Sequence, residues 1–131
     1  MSENSRNTIQ KQAVLDTIKS MRTHPSVDEL HCEIRKTYPS ISKATVYRNV
    51  NQLAQKGTIL QIAVAGDVMR YDGCTDFHYH LACDDCGRVL DVHTDFQADA
   101  IEDLTAFVEG QDGHKIKETM VLFRGICADC R

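Results

Sequence analysis

"YPSISKATVYRNVNQLAQKGTILQIAVAGDVMRYD", Tyr38 to Asp72, places a helix signal directly before a hairpin signal. Pro39 breaks whatever precedes it, Ser42 stands at a cap position, and Val46, Val50 and Leu53 form an apolar stripe that Gly57 ends. "TILQIAVAGDVMRYD" then alternates around "AGD", a turn signature, and predicts a two-stranded β-ribbon. Upstream, "IQKQAVLDTIKSM" sets Ile9, Ala13, Leu15, Ile18 and Met21 near one face, which predicts an amphipathic helix over Ile9–Met21. In "THPSVDEL", Pro25 stops one element and Ser26 with Glu29 three residues on fits a capping box, so a second helix is expected from Val27 to Thr37. Three helices and a ribbon in about 70 residues is the order of a winged helix, whose last helix enters the major groove of DNA. A generic small α+β domain has the same element order.

The charge distribution bears on that choice. Residues 1–57 hold nine Lys/Arg against five Asp/Glu and residues 58–131 six against fourteen, so the net −4 divides into +4 and −8. The basic half is the one to test for nucleic acid, although a solvated charge distribution would look the same. The polar start "MSENSRNTIQKQ" has no apolar leader core, and no run of about 18 uncharged apolar residues occurs, so a cytoplasmic protein without a membrane partner is expected. In a reducing compartment six cysteines with CxxC spacing read as metal ligands or redox thiols before structural disulfides.

At 131 residues, 42% of them hydrophobic, the chain has material for one domain or two small ones. "GCTDF" at 73–77 lacks periodicity and reads as a hinge. Beyond it come a strand (His78–Ala82), a CxxC turn, a second strand (Val89–Val92), a helix (about Ala98–Val108) and a third strand (Lys117–Phe123) before the terminal CxxC. The expectation is an α+β protein: a winged-helix DNA-binding domain over 1–73, a hinge over 74–77, and an α/β domain over 78–131. The second domain is thin for a monomer, so a homodimer is expected.

Cys83-x2-Cys86 and Cys127-x2-Cys130 each present two thiolates from a tight turn, and together they supply the four soft ligands of a tetrahedral structural zinc, one Zn²⁺ per chain. The rival reading, two thiol–disulfide redox pairs, lacks the βαβ context of a thioredoxin-like motif. His78 and His80 lie two apart and share one face of a strand, which marks them as candidate ligands. Asp91 lies on the return strand, but a one-residue change in the turn would flip its face, so parity leaves its role open.

Taken together, "THPSVDEL", "SKATVYRNV", "RYD", "HYHLACDDCGRVLDV" and the terminal "CADC" resemble the ferric uptake regulator family of bacterial metal-dependent repressors over nearly the whole chain. The resemblance implies a dimeric repressor with a winged helix, a dimerisation domain, and a regulatory metal held by His24, Asp72, His78, His80 and Asp91. It implies that Cys83, Cys86, Cys127 and Cys130 hold structural zinc. Three imidazoles and two carboxylates make a mixed donor set suited to Fe²⁺ or Mn²⁺. Iron sensors of the family usually carry Glu at the position of Asp91. Peroxide sensors look like this chain, and in that branch Fe²⁺ and hydrogen peroxide oxidise a ligand histidine, here His24 or His78, and release the repressor. Iron- or manganese-responsive regulation, less readily zinc-responsive, is the alternative.

Two departures stand out. Phe77 and Tyr79 replace two ligands of an additional metal site found in many relatives, and "IQK" leaves Lys11 where the family usually has an arginine. On the third helix Ser42, Lys43, Thr45, Tyr47, Arg48 and Asn49 are candidate DNA contacts, with Lys11 beside them. Lys43 and Arg48 suit phosphate or guanine, Tyr47 a thymine methyl and a phosphate. A dimer would read double-stranded DNA at an inverted-repeat operator. Cys32 and Cys74 lie outside both CxxC pairs and read as small buried hydrophobes, Cys74 also as a reactive hinge thiol. His31, His93 and His114 read as solvated or locally hydrogen-bonded rather than as ligands of the regulatory metal. A zinc enzyme or thiol oxidoreductase would need an open metal position with a general base, and no HExxH, HxE or nucleophile motif supplies one.

Overall fold

The computed structural model describes residues 3–64, 68–92 and 98–131, and the chain divides into two compact units, Met1–Asp76 and Phe77–Arg131. The "AGD" turn at 65–67 and His93 lie outside the described residues.

The first unit contains α1 (Glu3–Ser20), α2 (Val27–Ile34), α3 (Lys43–Gln55), β1 (Leu60–Ala63) and β2 (Met69–Asp72). The capping signals act as the sequence requires. Ser26 accepts from the Glu29 amide at 3.3 Å while the Glu29 carboxylate accepts from the Ser26 amide at 3.2 Å, closing the box on α2. The Ser42 hydroxyl accepts from the Thr45 amide at 3.1 Å and starts α3. Helix α2 is shorter than its expected end at Thr37, because the Thr37 and Tyr38 amides both turn back to the Ile34 carbonyl. The ribbon pairs antiparallel, with Leu60 opposite Asp72 and Ala63 opposite Met69.

The core of this unit is Val14, Ile18, Leu30, Ile34, Ile41, Val46, Val50, Leu53, Ile59 and Tyr71, with Leu15 and Met21 packed against it. Each fully buried aliphatic side chain contributes about 1.5–3 kcal/mol relative to exposure. The expected α1 stripe needs one correction. Ile9 is 38% exposed and Val14 is buried, since Ile9 sits five residues before Val14 and so is turned about 140° from it around the helix. The helix also begins six residues earlier than the apolar pattern does, at Glu3.

The second unit contains β3 (Tyr79–Cys83), β4 (Val89–Val92), α4 (Ala98–Asp112) and β5 (Leu122–Gly125). Its sheet runs in the order β4-β3-β5, with β4 antiparallel and β5 parallel to β3. The expected strand Lys117–Phe123 lies too early in the chain. The structure pairs Leu122 with His80 and Gly125 with Cys83, a register that carries the following Cys127 up to the first CxxC turn. Helix α4 extends past Val108 to Asp112, and its Glu109 carboxylate accepts from the Ile116 amide at 3.0 Å. No described helix is long and apolar enough to cross a membrane.

Candidate metal centre

The turn after β3 and the segment after β5 bring Cys83, Cys86, Cys127 and Cys130 together, with one sulfur from each inside a cluster whose atoms all lie within 4.8 Å of one another. The fit to zinc can be tested directly. Zn–S bonds of about 2.3 Å in a tetrahedron place sulfurs about 3.8 Å apart, and Sγ of Cys86 and Sγ of Cys127 are 3.8 Å apart. Cys83 and Cys127 are buried, Cys130 half-buried and Cys86 exposed, so the cluster is closed on its sheet side.

The sulfurs are set apart by their hydrogen bonds. The amides of Cys86 and Cys127 donate to Cys83 Sγ at 3.5 and 3.3 Å, and they hold the Cys83 thiol down at about 6. Arg88 donates from Nε to Cys86 Sγ at 3.4 Å and from Nη2 to Cys127 Sγ at 3.7 Å, while the same Nη2 donates to Asp129 at 2.8 Å. That contact lowers the Cys86 thiol. Cys130, bonded first to the Cys127 thiol and then desolvated, is pushed up to about 12. The protein therefore supplies thiolate character to part of the set, and a metal must displace a proton from Cys130. The sequence reading missed Arg88; its signal was a cation directly after "CDDCG", within reach of both knuckles.

Two further groups gather nitrogen and oxygen donors, one in each unit. In the first, "RYD" runs alongside "HP". The Tyr71 amide donates to the Pro25 carbonyl at 3.1 Å, and His24 Nε2 lies 3.1 Å from Asp72 Oδ2. The other Asp72 oxygen accepts from the Cys74 amide at 2.9 Å. His24 and Asp72 are both buried. His24 also has φ of 54°, a left-handed conformation that costs a residue with a side chain about 1–3 kcal/mol and persists where the surroundings enforce it. In the second unit the register settles what parity left open. Asp91 pairs directly opposite His80, so it shares the face of both histidines, with Oδ1 at 2.9 Å from His78 Nε2 and 3.5 Å from His80 Nε2. The His78 and His80 rings stand 4.3 Å apart. Imidazole and carboxylate without sulfur suit Fe²⁺ or Mn²⁺. Phe77 and Tyr79 pack edge to face, with ring centroids 5.4 Å apart.

Of the candidate DNA contacts, Ser42, Lys43, Tyr47 and Arg48 are exposed and Thr45 is half-buried. Lys43 is paired with Asp28. Asn49 is a correction, because at 5% exposure it is withdrawn from the open face of α3. With Asn7, Thr8, Lys11, Arg48 and Gln52 it lines a polar cavity of about 270 Å³. Cys32 and Cys74 are also corrected: both are exposed, since α2 turns Cys32 away from Leu30 and Ile34, and Cys74 lies beyond the end of β2. His31 bonds the Ile41 carbonyl at 3.0 Å, and His114 lies 3.7 Å from Asp112.

Residues 2–124 match the model of the ferric uptake regulator family. The peroxide-responsive repressor PerR of Staphylococcus saprophyticus is 32% identical over 96% of this chain and 82% of its own length. The peroxide operon regulator of Bacillus subtilis is 30% identical over 95% and 83%. The crystal structure of the Campylobacter jejuni peroxide stress regulator aligns with a TM-score of 0.80 at 32% identity, covering 96% of this chain and 92% of that one.

Proposed function

The chain belongs to the ferric uptake regulator family, and from that premise we propose that it is a metal-dependent DNA-binding repressor that responds to hydrogen peroxide. The observation that carries this reading is the donor chemistry: a sulfur-only set fit for permanent zinc and, separate from it, nitrogen and carboxylate donors with aspartate at both acidic positions. The similarity to three named peroxide regulators supports it.

In this reading Cys83, Cys86, Cys127 and Cys130 hold one Zn²⁺ per chain. His24, Asp72, His78, His80 and Asp91 are the regulatory ligands for Fe²⁺ or Mn²⁺. Bound Fe²⁺ would supply the redox chemistry by which peroxide transfers one oxygen atom to a ligand imidazole and leaves as water. The chain's own part is to hold the acceptors still: Asp72 bonds His24, and Asp91 bonds His78, the two histidines proposed as oxidation-sensitive. Ligands drawn from both halves of the chain let occupancy select a DNA-competent state, by as much as the ion's affinities for the two states differ.

Ser42, Lys43, Thr45, Tyr47 and Arg48, with Lys11, are proposed to contact double-stranded DNA at an inverted-repeat operator. The homodimer is proposed to form through the second unit, where Leu104 and Phe107 of α4 and Phe123 of β5 are each more than half exposed. Apolar area of that kind on a thin unit suits burial between two copies.

The test is a gel-shift titration on the protein's own promoter with Fe²⁺, Mn²⁺ or Zn²⁺ added to zinc-loaded protein. Fe²⁺ and Mn²⁺ should each raise DNA affinity by about 5–150-fold, the usual range of an allosteric coupling. Asp72→Ala and Asp91→Ala should abolish the gain without loss of the structural zinc. A protein whose DNA affinity ignores every divalent metal is not the repressor described here. One that answers to Fe²⁺ or Mn²⁺ but not to peroxide is an iron- or manganese-responsive regulator.

A further inference from the structure

His24 sits directly before Pro25, a position at which the proline ring favours extended backbone, yet its φ is 54°. It is 3% exposed. A buried, β-carbon-bearing residue stays in that conformation only when neighbours hold it there, and Arg70 and Asp72 hold His24. Arg70 Nη1 donates to the His24 carbonyl oxygen at 3.1 Å. The same nitrogen donates to Glu29 at 3.2 Å and 3.4 Å. Glu29 in turn closes the capping box at Ser26, two residues after His24. The Arg70 side chain is 17% exposed, which limits its freedom to leave.

We propose that Arg70, anchored by Glu29, is a positioning residue for His24, clamping its carbonyl so that the left-handed backbone presents the imidazole in the geometry the regulatory metal requires. The clamp grips from one side and Asp72 from the other. Three consecutive residues of β2 hold the two residues that lead into α2: Arg70 takes the His24 carbonyl, Tyr71 the Pro25 carbonyl, and Asp72 the His24 ring. Without Arg70 the strained peptide is free to relax towards the extended region, and the ring moves with it. Because Arg70 bridges to Glu29, the ligand is also tied to the first turn of α2, the helix that precedes α3 in the DNA-binding motif. This inference rests on the reading of His24 as a regulatory ligand.

The experiment measures Mn²⁺ affinity of the full-length, zinc-loaded protein from the electron paramagnetic resonance signal of free Mn²⁺. The variants are Arg70→Ala, Arg70→Lys, Glu29→Gln and His24→Ala. Outer residues that orient metal ligands typically change affinity by 10–100-fold. Arg70→Ala should therefore weaken Mn²⁺ binding at least about tenfold. Arg70→Lys should recover part of the loss, because one ammonium can still donate to the His24 carbonyl. Glu29→Gln keeps an acceptor for the Ser26 amide but loses the charged anchor, and should fall between wild type and Arg70→Ala. Should Arg70→Ala fail to fold, the Arg70→Lys and Glu29→Gln pair still decides. Zinc content should be one per chain throughout, and a change in melting temperature alone would indicate a merely structural arginine. If His24→Ala weakens Mn²⁺ binding while the Arg70 and Glu29 variants bind normally, the clamp is wrong and the ligand assignment survives. If His24→Ala binds Mn²⁺ as wild type does, the ligand assignment fails and takes the clamp with it.

Discussion

Ten apolar side chains from Val14 to Tyr71 close the core of Met1–Asp76, whereas the described part of Phe77–Arg131 buries two aliphatic side chains, Ala82 and Val89, beside the His80 ring and the thiols of Cys83 and Cys127. The first unit can be held by the hydrophobic effect. The second substitutes four sulfurs for the missing aliphatic volume, at the point where β3 and the segment after β5 meet. Under the proposed function the sulfur-bound metal would serve structure and the other signalling. Sulfur donors all come from one unit and are preset by amides and by Arg88, as a permanent ion requires. Each unit has its own nitrogen and oxygen donors, His24 with Asp72 in the first and His78, His80 and Asp91 in the second, and none is a thiolate, which suits the exchangeable ion proposed above.

The largest effect that would break this comparison is loss of zinc. Cys127→Ser should unfold the second unit, since a structural zinc is worth about 10–16 kcal/mol of apparent binding energy to a domain that depends on it. The helices of the first unit should persist, so amide hydrogen exchange would show protection kept at Val14 and Val50 and lost at Leu81 and Val89. Equal loss in both units would mean that the second unit does not rest on its metal. The converse variant, Leu30→Ala, leaves a cavity in the first core and should cost about 2–5 kcal/mol by chemical denaturation, with zinc content unchanged.

Smaller changes sharpen the sulfur side. Arg88→Ala should speed transfer of zinc to a chromogenic chelator about tenfold. Arg124→Ala is the control, because Arg124 bonds Asp84 and no thiol. If the two variants release zinc alike, Arg88 has no special hold on the ligands. The smallest effect is a proton count. With the Cys130 thiol held up at about 12 by its neighbouring sulfurs, it is protonated in the metal-free protein at pH 8, so zinc binding must release that proton and weaken as pH falls. Calorimetry in buffers of different ionisation enthalpy reads this directly, and zero release would contradict it.

The parts legible in the sequence were those written in local chemistry. Ser26 with Glu29, and Ser42 before its apolar stripe, announce helix starts because a cap bonds three residues on. Two CxxC pairs without the βαβ context of a redox motif announce a pair of metal knuckles. Features that depend on register stayed hidden: Asp91 opposite His80 needed the β3–β4 pairing, and the place of β5 needed Gly125 opposite Cys83. Supporting residues were the least visible. Arg70 and Arg88 act on a carbonyl and on sulfurs far along the chain, and neither spacing nor periodicity marks such partners. The pattern from Ile9 to Met21 included Ile18, which α1 buries, but not Val14, which it buries as fully.

The central claim, that an Fe²⁺-loaded repressor records peroxide on a ligand histidine, is tested most directly by one paired measurement on one sample. Zinc- and Fe²⁺-loaded protein bound to its promoter is treated with hydrogen peroxide, and DNA affinity and peptide masses are read together, with Mn²⁺-loaded protein as the reference. The account predicts that DNA is released only from the Fe²⁺ form, with one oxygen atom added to the peptide carrying His24 or the peptide carrying His78. An Fe²⁺ form that keeps both its DNA and its mass would contradict it.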